Sequence, residues 1–125
     1  MIVGIGTDIV EIVRIEETYE RLGDRFAERI LTELEMQAFT QSERKISFLA
    51  KRFTIKEAAA KALGTGIGRG VSWRHMWLDH NEQGAPELHF DSGALERLRF
   101  LGGERVYVSV SDERHYATAT VLLES

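Results

Sequence analysis

Residues 48–66 read Phe48-Leu-Ala-Lys-Arg-Phe-Thr-Ile-Lys-Glu-Ala-Ala-Ala-Lys-Ala-Leu-Gly-Thr-Gly66. This spacing predicts one long helix, from about Arg44 to Leu63, stopped by glycine. At roughly 100° per residue, Ile46, Ala50 and Phe53 fall within about 40° of Glu57, whereas Phe48, Ile55, Ala59 and Ala62 gather on the opposite side. A helix apolar on two faces is sandwiched between partners. Glu57 and Lys61 continue one of the apolar stripes, where a carboxylate needs a cation or hydrogen-bond donors. A third side is basic, with Lys45, Arg52 and Lys56 as an edge suited to a metal-bound polyphosphate. Two readings of Glu57 and Lys61 stand. They form an i, i+4 helix salt bridge, or they belong to a site.

Working outward, Met1 to Thr7 reads as a strand whose glycines allow close backbone approach. A helix follows with Ile12, Ile15, Tyr19 and Leu22 on its apolar face, broken at Gly23-Asp24. Arg25 to Ile30 is a short helical turn. Thr32 with Glu35 is a capping-box start for a helix reaching Phe39. After the Gly64–Gly70 loop, Ser72 to His80 and Glu87 to Phe90 read as two strands around a turn at Asn81–Pro86. Ser92 to Leu101 is a short amphipathic helix. Arg105 to Ser111 and Tyr116 to Leu123 are alternating strands. The expected class is α+β: an antiparallel sheet, made largely by the C-terminal half, packed on a long central helix. No repeat or linker divides residues 1–125, so one domain is expected.

The 125 residues are 43% hydrophobic and 29% charged, which suits a soluble globular chain with one core. No apolar run is long enough for a membrane span, and Asp8 and Glu11 follow too soon for a signal peptide; neither a membrane nor a secreted location is expected. A net charge of −4 argues against a nucleic-acid partner. The absence of cysteine excludes disulfides and thiolate metal sites and fits a reducing cytoplasm. The basic residues are nevertheless clustered, at Arg14, Arg21, Arg25 and Arg29 and again between Arg44 and Lys61. Such patches serve an acidic partner or a phosphorylated ligand.

Asp8, placed where the first strand meets the first helix, is an N-cap or a metal ligand, and one oxygen can do both. Asp8 and Glu57 would suit Mg²⁺, which takes one or two carboxylates together with substrate phosphates. The glycine loop follows a helix rather than a strand, so it is a helix stop and not a dinucleotide or P-loop signature. His75, His80, His89 and His115 lack metal-ligand spacing. Arg14 and Arg21 share one helix face, either a solvated surface or a dock for an acidic helix.

Three stretches together closely resemble the holo-acyl-carrier-protein synthases, the short bacterial phosphopantetheinyl transferases. They are Gly4-Ile-Gly-Thr-Asp-Ile-Val-Glu-Ile12, Phe48 through Ile67, and Tyr116-Ala-Thr-Ala-Thr-Val-Leu-Leu-Glu124. The resemblance implies the 4′-phosphopantetheinyl transferase fold and transfer of 4′-phosphopantetheine from coenzyme A to a serine of apo-acyl carrier protein. Adenosine 3′,5′-bisphosphate would be released, in support of fatty acid biosynthesis. It implies that Asp8 and Glu57 hold Mg²⁺ and that Lys61 neutralises charge at the reacting phosphate. Arg52, Lys61, Gly64 and Gly66 would contact coenzyme A, and Arg14 and Arg21 would grip the acidic carrier. It also implies a cytoplasmic homotrimer with sites between subunits. One departure stands out: many members carry S-x-S-H before the last strand, whereas this chain has Ser109-Val-Ser111-Asp112, and an acid cannot take a cationic role beside a phosphate. Two other readings compete: a carrier-binding protein without transfer, and a structural helix–sheet module.

Overall fold

The computed structural model describes residues 1–125. Strand β1 (Ile2–Glu11) leads into helices α1 (Ile12–Leu22), α2 (Asp24–Ile30), α3 (Glu33–Gln41) and the long α4 (Lys45–Ala62). Strands β2 (Met76–His80) and β3 (Pro86–Phe90), helix α5 (Ser92–Phe100), and strands β4 (Arg105–Asp112) and β5 (Tyr116–Glu124) complete the chain. The α+β class expected from the sequence is the one observed, with the sheet against α4.

Three strands, ordered β1-β5-β4, form one antiparallel sheet, and β2-β3 is a separate antiparallel hairpin. The sequence predicts one sheet. The strands of the hairpin and of the sheet do not pair, and side chains of β3, α5 and β4, including Leu88, Leu95, Leu98, Val106 and Val108, line the gap between β3 and β4. Ser72 to His80 is likewise only partly strand: Trp73–His75 is a 3₁₀ turn before β2 begins.

Helix α4 lies between two cores, as its two apolar faces require. One core joins Ile55, Ala59, Ala62 and Leu63 to Val121 and Leu123 of β5 and to the β2-β3 hairpin. The other joins Leu49 and Ala50 to Ile15, Ile30 and Phe39 of α1–α3. Phe48, expected with Ile55, packs instead in this second core, its ring 6.1 Å from that of Phe39. The helical layer wraps the N-terminal half of α4 on a wider arc than one face.

Strand β1 crosses α4 backbone to backbone. A Cβ on Gly6 would collide with the Ala58 carbonyl and the Ala62 amide, and one on Gly4 with the Ala62 carbonyl. The Thr32–Glu35 capping box opens α3 as expected.

The basic edge expected on α4 does not exist as such, because Lys56 is fully buried. Its Nζ donates to Ile30 O and Glu35 Oε1, both at 2.6 Å. Burial pushes the Lys56 ammonium below the usual lysine range, opposed by the Glu35 charge. Helical periodicity alone cannot show that α3 delivers a buried carboxylate to this side.

Candidate active site

Asp8 sits within β1, opposite Ala119 of β5, and not at a helix N-terminus. Pairing with β5 carries the strand on to Glu11, which precedes α1 and makes no side-chain cap. The N-cap reading of Asp8 is therefore corrected. Its side chain meets α4. Thr54 Oγ1 donates to Asp8 Oδ2 at 2.8 Å, and Lys61 Nζ donates to Asp8 Oδ1 at 2.9 Å and to Thr7 O at 3.1 Å.

Lys61 thus pairs across elements, and no ion pair joins it to Glu57 one turn earlier. The helix salt bridge that Glu-Ala-Ala-Ala-Lys favours on its own gives way to a carboxylate supplied by the strand. Glu57 is half-buried. Burial, reinforced by the charge of Asp8, raises its carboxyl above the usual carboxylate range, while Trp73 and Lys61 pull the other way. The Trp73 indole N–H is buried and falls short of hydrogen-bond geometry with any acceptor.

Two carboxylates therefore approach each other closely enough to interact, with one lysine between strand and helix. Each Asp8 oxygen keeps a lone pair after its protein hydrogen bond. Glu57 gains from a nearby cation, since its charged form is disfavoured by burial and by Asp8. No third carboxylate or histidine joins them. That sparse oxygen-only set fits Mg²⁺, which keeps water and phosphate ligands of its own.

Helix α4 ends in the turn that the glycines predict. Gly64 and Gly66 have φ of 79° and 64°, and the Thr65 and Gly66 amides turn back to Ala60 O at 3.2 and 3.1 Å. Arg97 Nε caps Leu63 O at 2.8 Å. Gly66 faces open space. Arg52 keeps only 12% of its side chain exposed, with Nε donating to Glu35 Oε2 at 3.1 Å. Arg14 is exposed on α1 and pairs with Glu11 at 3.1 Å, while the exposed Arg21 has no ion-pair partner. A cleft of about 520 Å³ between α2 and the 3₁₀ turn is lined by Arg25, Arg29, Arg74 and Trp73, and so reaches the neighbourhood of Glu57. At the departure from S-x-S-H, Asp112 accepts from Ser47 Oγ at 3.2 Å and lies 3.9 Å from Lys51 Nζ. The acid there ties the end of β4 to α4.

Sequence reasoning missed Thr54 and Trp73 as parts of this site, and Glu35 as the partner of Arg52. Thr54 was legible in part, lying one helical turn before Glu57. Trp73 and Glu35 come from other elements and leave no local signal.

A strand carboxylate held by Thr54 and Lys61, with a half-buried helix carboxylate close to it and a basic cleft alongside, is an arrangement suited to phosphoryl chemistry. The profile of the 4′-phosphopantetheinyl transferase superfamily matches residues 4–121. The holo-[acyl-carrier-protein] synthase of Shewanella frigidimarina is 61% identical over 99% of this chain and 98% of its own. The crystal structure of the synthase from Neisseria meningitidis superposes with a TM-score of 0.94 at 43% identity, covering 100% of both chains. The Bacillus anthracis synthase, solved in complex with CoA (3′,5′-ADP), gives 0.83 at 39% identity over 100% of this chain and 98% of that one. The chain belongs to the holo-[acyl-carrier-protein] synthases of the 4′-phosphopantetheinyl transferase superfamily. None of its helices is long and apolar enough to cross a membrane.

Proposed function

We propose that the chain, acting as one domain over residues 1–125, transfers 4′-phosphopantetheine from coenzyme A to a serine of apo-acyl carrier protein in the cytoplasm, for fatty acid biosynthesis. The observation that carries this reading is the placement of Asp8, Thr54 and Lys61 in one hydrogen-bonded set beside the half-buried Glu57.

The serine oxygen attacks the pyrophosphate phosphorus that bears the pantetheine arm. A new P–O bond forms, the bond to the bridging oxygen breaks, and adenosine 3′,5′-bisphosphate leaves with that oxygen. The serine proton passes to a carboxylate of the Asp8–Glu57 pair. Lys61 sets its ammonium beside the reacting phosphate, and Thr54 holds the Asp8 carboxylate in orientation. Asp8 and Glu57 would hold Mg²⁺, which when bound neutralises pyrophosphate charge.

Arg52, Lys61 and the Gly64–Gly66 surface contact the phosphates and nucleotide of coenzyme A. Arg14 and Arg21 on α1 receive the acidic carrier. The working form is a homotrimer, supported by apolar side chains left exposed on the outer face of the three-stranded sheet, where Ile5 and Ile9 are each 64% exposed.

Intact-mass analysis of apo-acyl carrier protein, incubated with the protein and coenzyme A with and without Mg²⁺, tests the reading. The expected result is a gain of one phosphopantetheine unit only with metal, lost in Glu57→Ala. No gain with a competent carrier and a folded protein would refute it.

A further inference from the structure

Glu35 is the most heavily engaged carboxylate in the molecule, although it lies outside the Asp8–Glu57 site. It is buried, 5% exposed. Its Oε1 accepts from Lys56 Nζ at 2.6 Å and from the Thr32 amide at 3.1 Å. Its Oε2 accepts from the Leu78 amide at 3.2 Å and from Arg52 Nε at 3.1 Å. Donors from α4, β2 and the start of α3 therefore fix this group from several directions.

We propose that Glu35 is a positioning residue for coenzyme A binding that acts through Arg52; the proposal rests on the reading of Arg52 as a phosphate contact. Glu35 takes only the Nε of Arg52. The Cζ of Arg52 lies 4.4 Å from the centre of the Phe48 ring, which holds the plane of the guanidinium. Its two terminal nitrogens bond to nothing in the chain and are not buried. A carboxylate on Nε and a ring beside the guanidinium thus leave its two terminal N–H₂ groups unpaired at the end of a side chain that is 12% exposed, free to grip a phosphate with two parallel hydrogen bonds. An arginine free to swing would lose rotamer freedom on binding, and one already held loses less.

Lys56 has the complementary part. It pairs with the second oxygen of Glu35, so the buried anchor carries a counter-charge, and it points away from solvent. Of the three basic residues that periodicity places on one edge, Arg52 and Lys56 divide the work: one presents charge and the other supports the presenter.

Coenzyme A and adenosine 3′,5′-bisphosphate titrated calorimetrically into Mg²⁺-loaded protein provide the test, alongside transfer kinetics. Glu35→Gln keeps the shape of the side chain but aims an amide donor at Arg52 or at Lys56. The expected result is affinity for both ligands weakened by about tenfold, equivalent to about 1.4 kcal/mol, with kcat at saturating coenzyme A within about twofold of the parent. In an Arg52→Gln background the same change adds nothing, since the two act as a unit. Measuring both changes again in a Lys56→Met background removes the risk that an uncompensated buried ammonium unfolds the variant. Unchanged affinity in folded Glu35→Gln, or equal weakening with and without Arg52, overturns the proposal. Unchanged affinity in Arg52→Gln itself overturns the phosphate contact first, and the role of Glu35 with it.

Discussion

Glu57 combines a folding cost with the chemical role proposed for it. Its folded-state carboxyl is raised by burial and by Asp8, so in the absence of a cation its charged form opposes folding. That penalty is absent below the unfolded pKa, grows as pH rises through the folded one, and is complete above it. Glu57→Gln is therefore expected to raise the melting temperature of metal-free protein at neutral pH by on the order of 2 °C. The difference should vanish in mildly acidic buffer. Added Mg²⁺ should stabilise the parent and leave the variant unmoved, because only the parent binds it. Thermal scans at two pH values with and without metal check all three signs, while transfer by the variant is lost. Thr54 offers a subtler probe. Thr54→Val keeps the volume and removes the donor to Asp8 Oδ2, an interaction with a charged partner worth about 1.5–3 kcal/mol. Transfer should fall by at least about tenfold through misorientation of Asp8. Losing that bond also weakens the fold, so the melting temperature should drop by several degrees; steady-state rates with saturating coenzyme A, measured well below the variant's melting temperature, place the loss in the chemistry.

At the scale of elements, the contact between β1 and α4 decides whether Asp8 reaches Thr54 and Lys61. The Gly6 position admits no Cβ, because the obstructing atoms are helix backbone and cannot yield by rotating a side chain. Gly6→Ala is expected to destabilise by about 3 kcal/mol or more, with transfer falling as β1 lifts from the helix; a denaturant titration reads the first effect. Much of this was legible in the sequence. Glycines in a strand imply a close neighbour, and the two-faced apolar pattern of α4 implies that the helix is sandwiched. What escaped the sequence were pairings made across the fold. Asp8 looks like a helix cap because its neighbours do not reveal that β5 extends the strand. Lys61 looks like the partner of Glu57 because one turn of helix is all that local spacing records. Lys56 looks like surface charge until α3 brings Glu35 beneath it. In each case a contact between distant segments displaced the best local alternative, and periodicity carries no information about such contacts.

At the scale of the whole molecule, the three-stranded sheet has one face on α4 and one face bare. Register puts Ile5 beside Leu122 and Leu122 beside Tyr107, and Ile9 beside Thr118 and Thr118 beside Ser111. Asp8, between Thr7 and Ile9, faces the helix by strand alternation, so the exposed isoleucines flank the proposed metal-binding position on the opposite side of the same strand. Isolated exposed apolar residues are ordinary, but the Ile5–Leu122–Tyr107 row, with Ile9 further along the same strand, is a clustered apolar patch on a bare sheet face and marks an interaction face. Assembly through this face would lock β1 from both sides and so hold Asp8 against Thr54 and Lys61. Ile9→Lys puts a charge on that face at a position the single chain leaves 64% exposed, so the subunit's own fold should survive with its circular dichroism unchanged. Light scattering at micromolar concentration should report a trimer for the parent and a monomer for the variant, and transfer should drop by at least about tenfold as the site loses its neighbour. A monomeric parent with full activity would remove the need for the trimer. A trimeric Ile9→Lys would mean that another surface holds the subunits together.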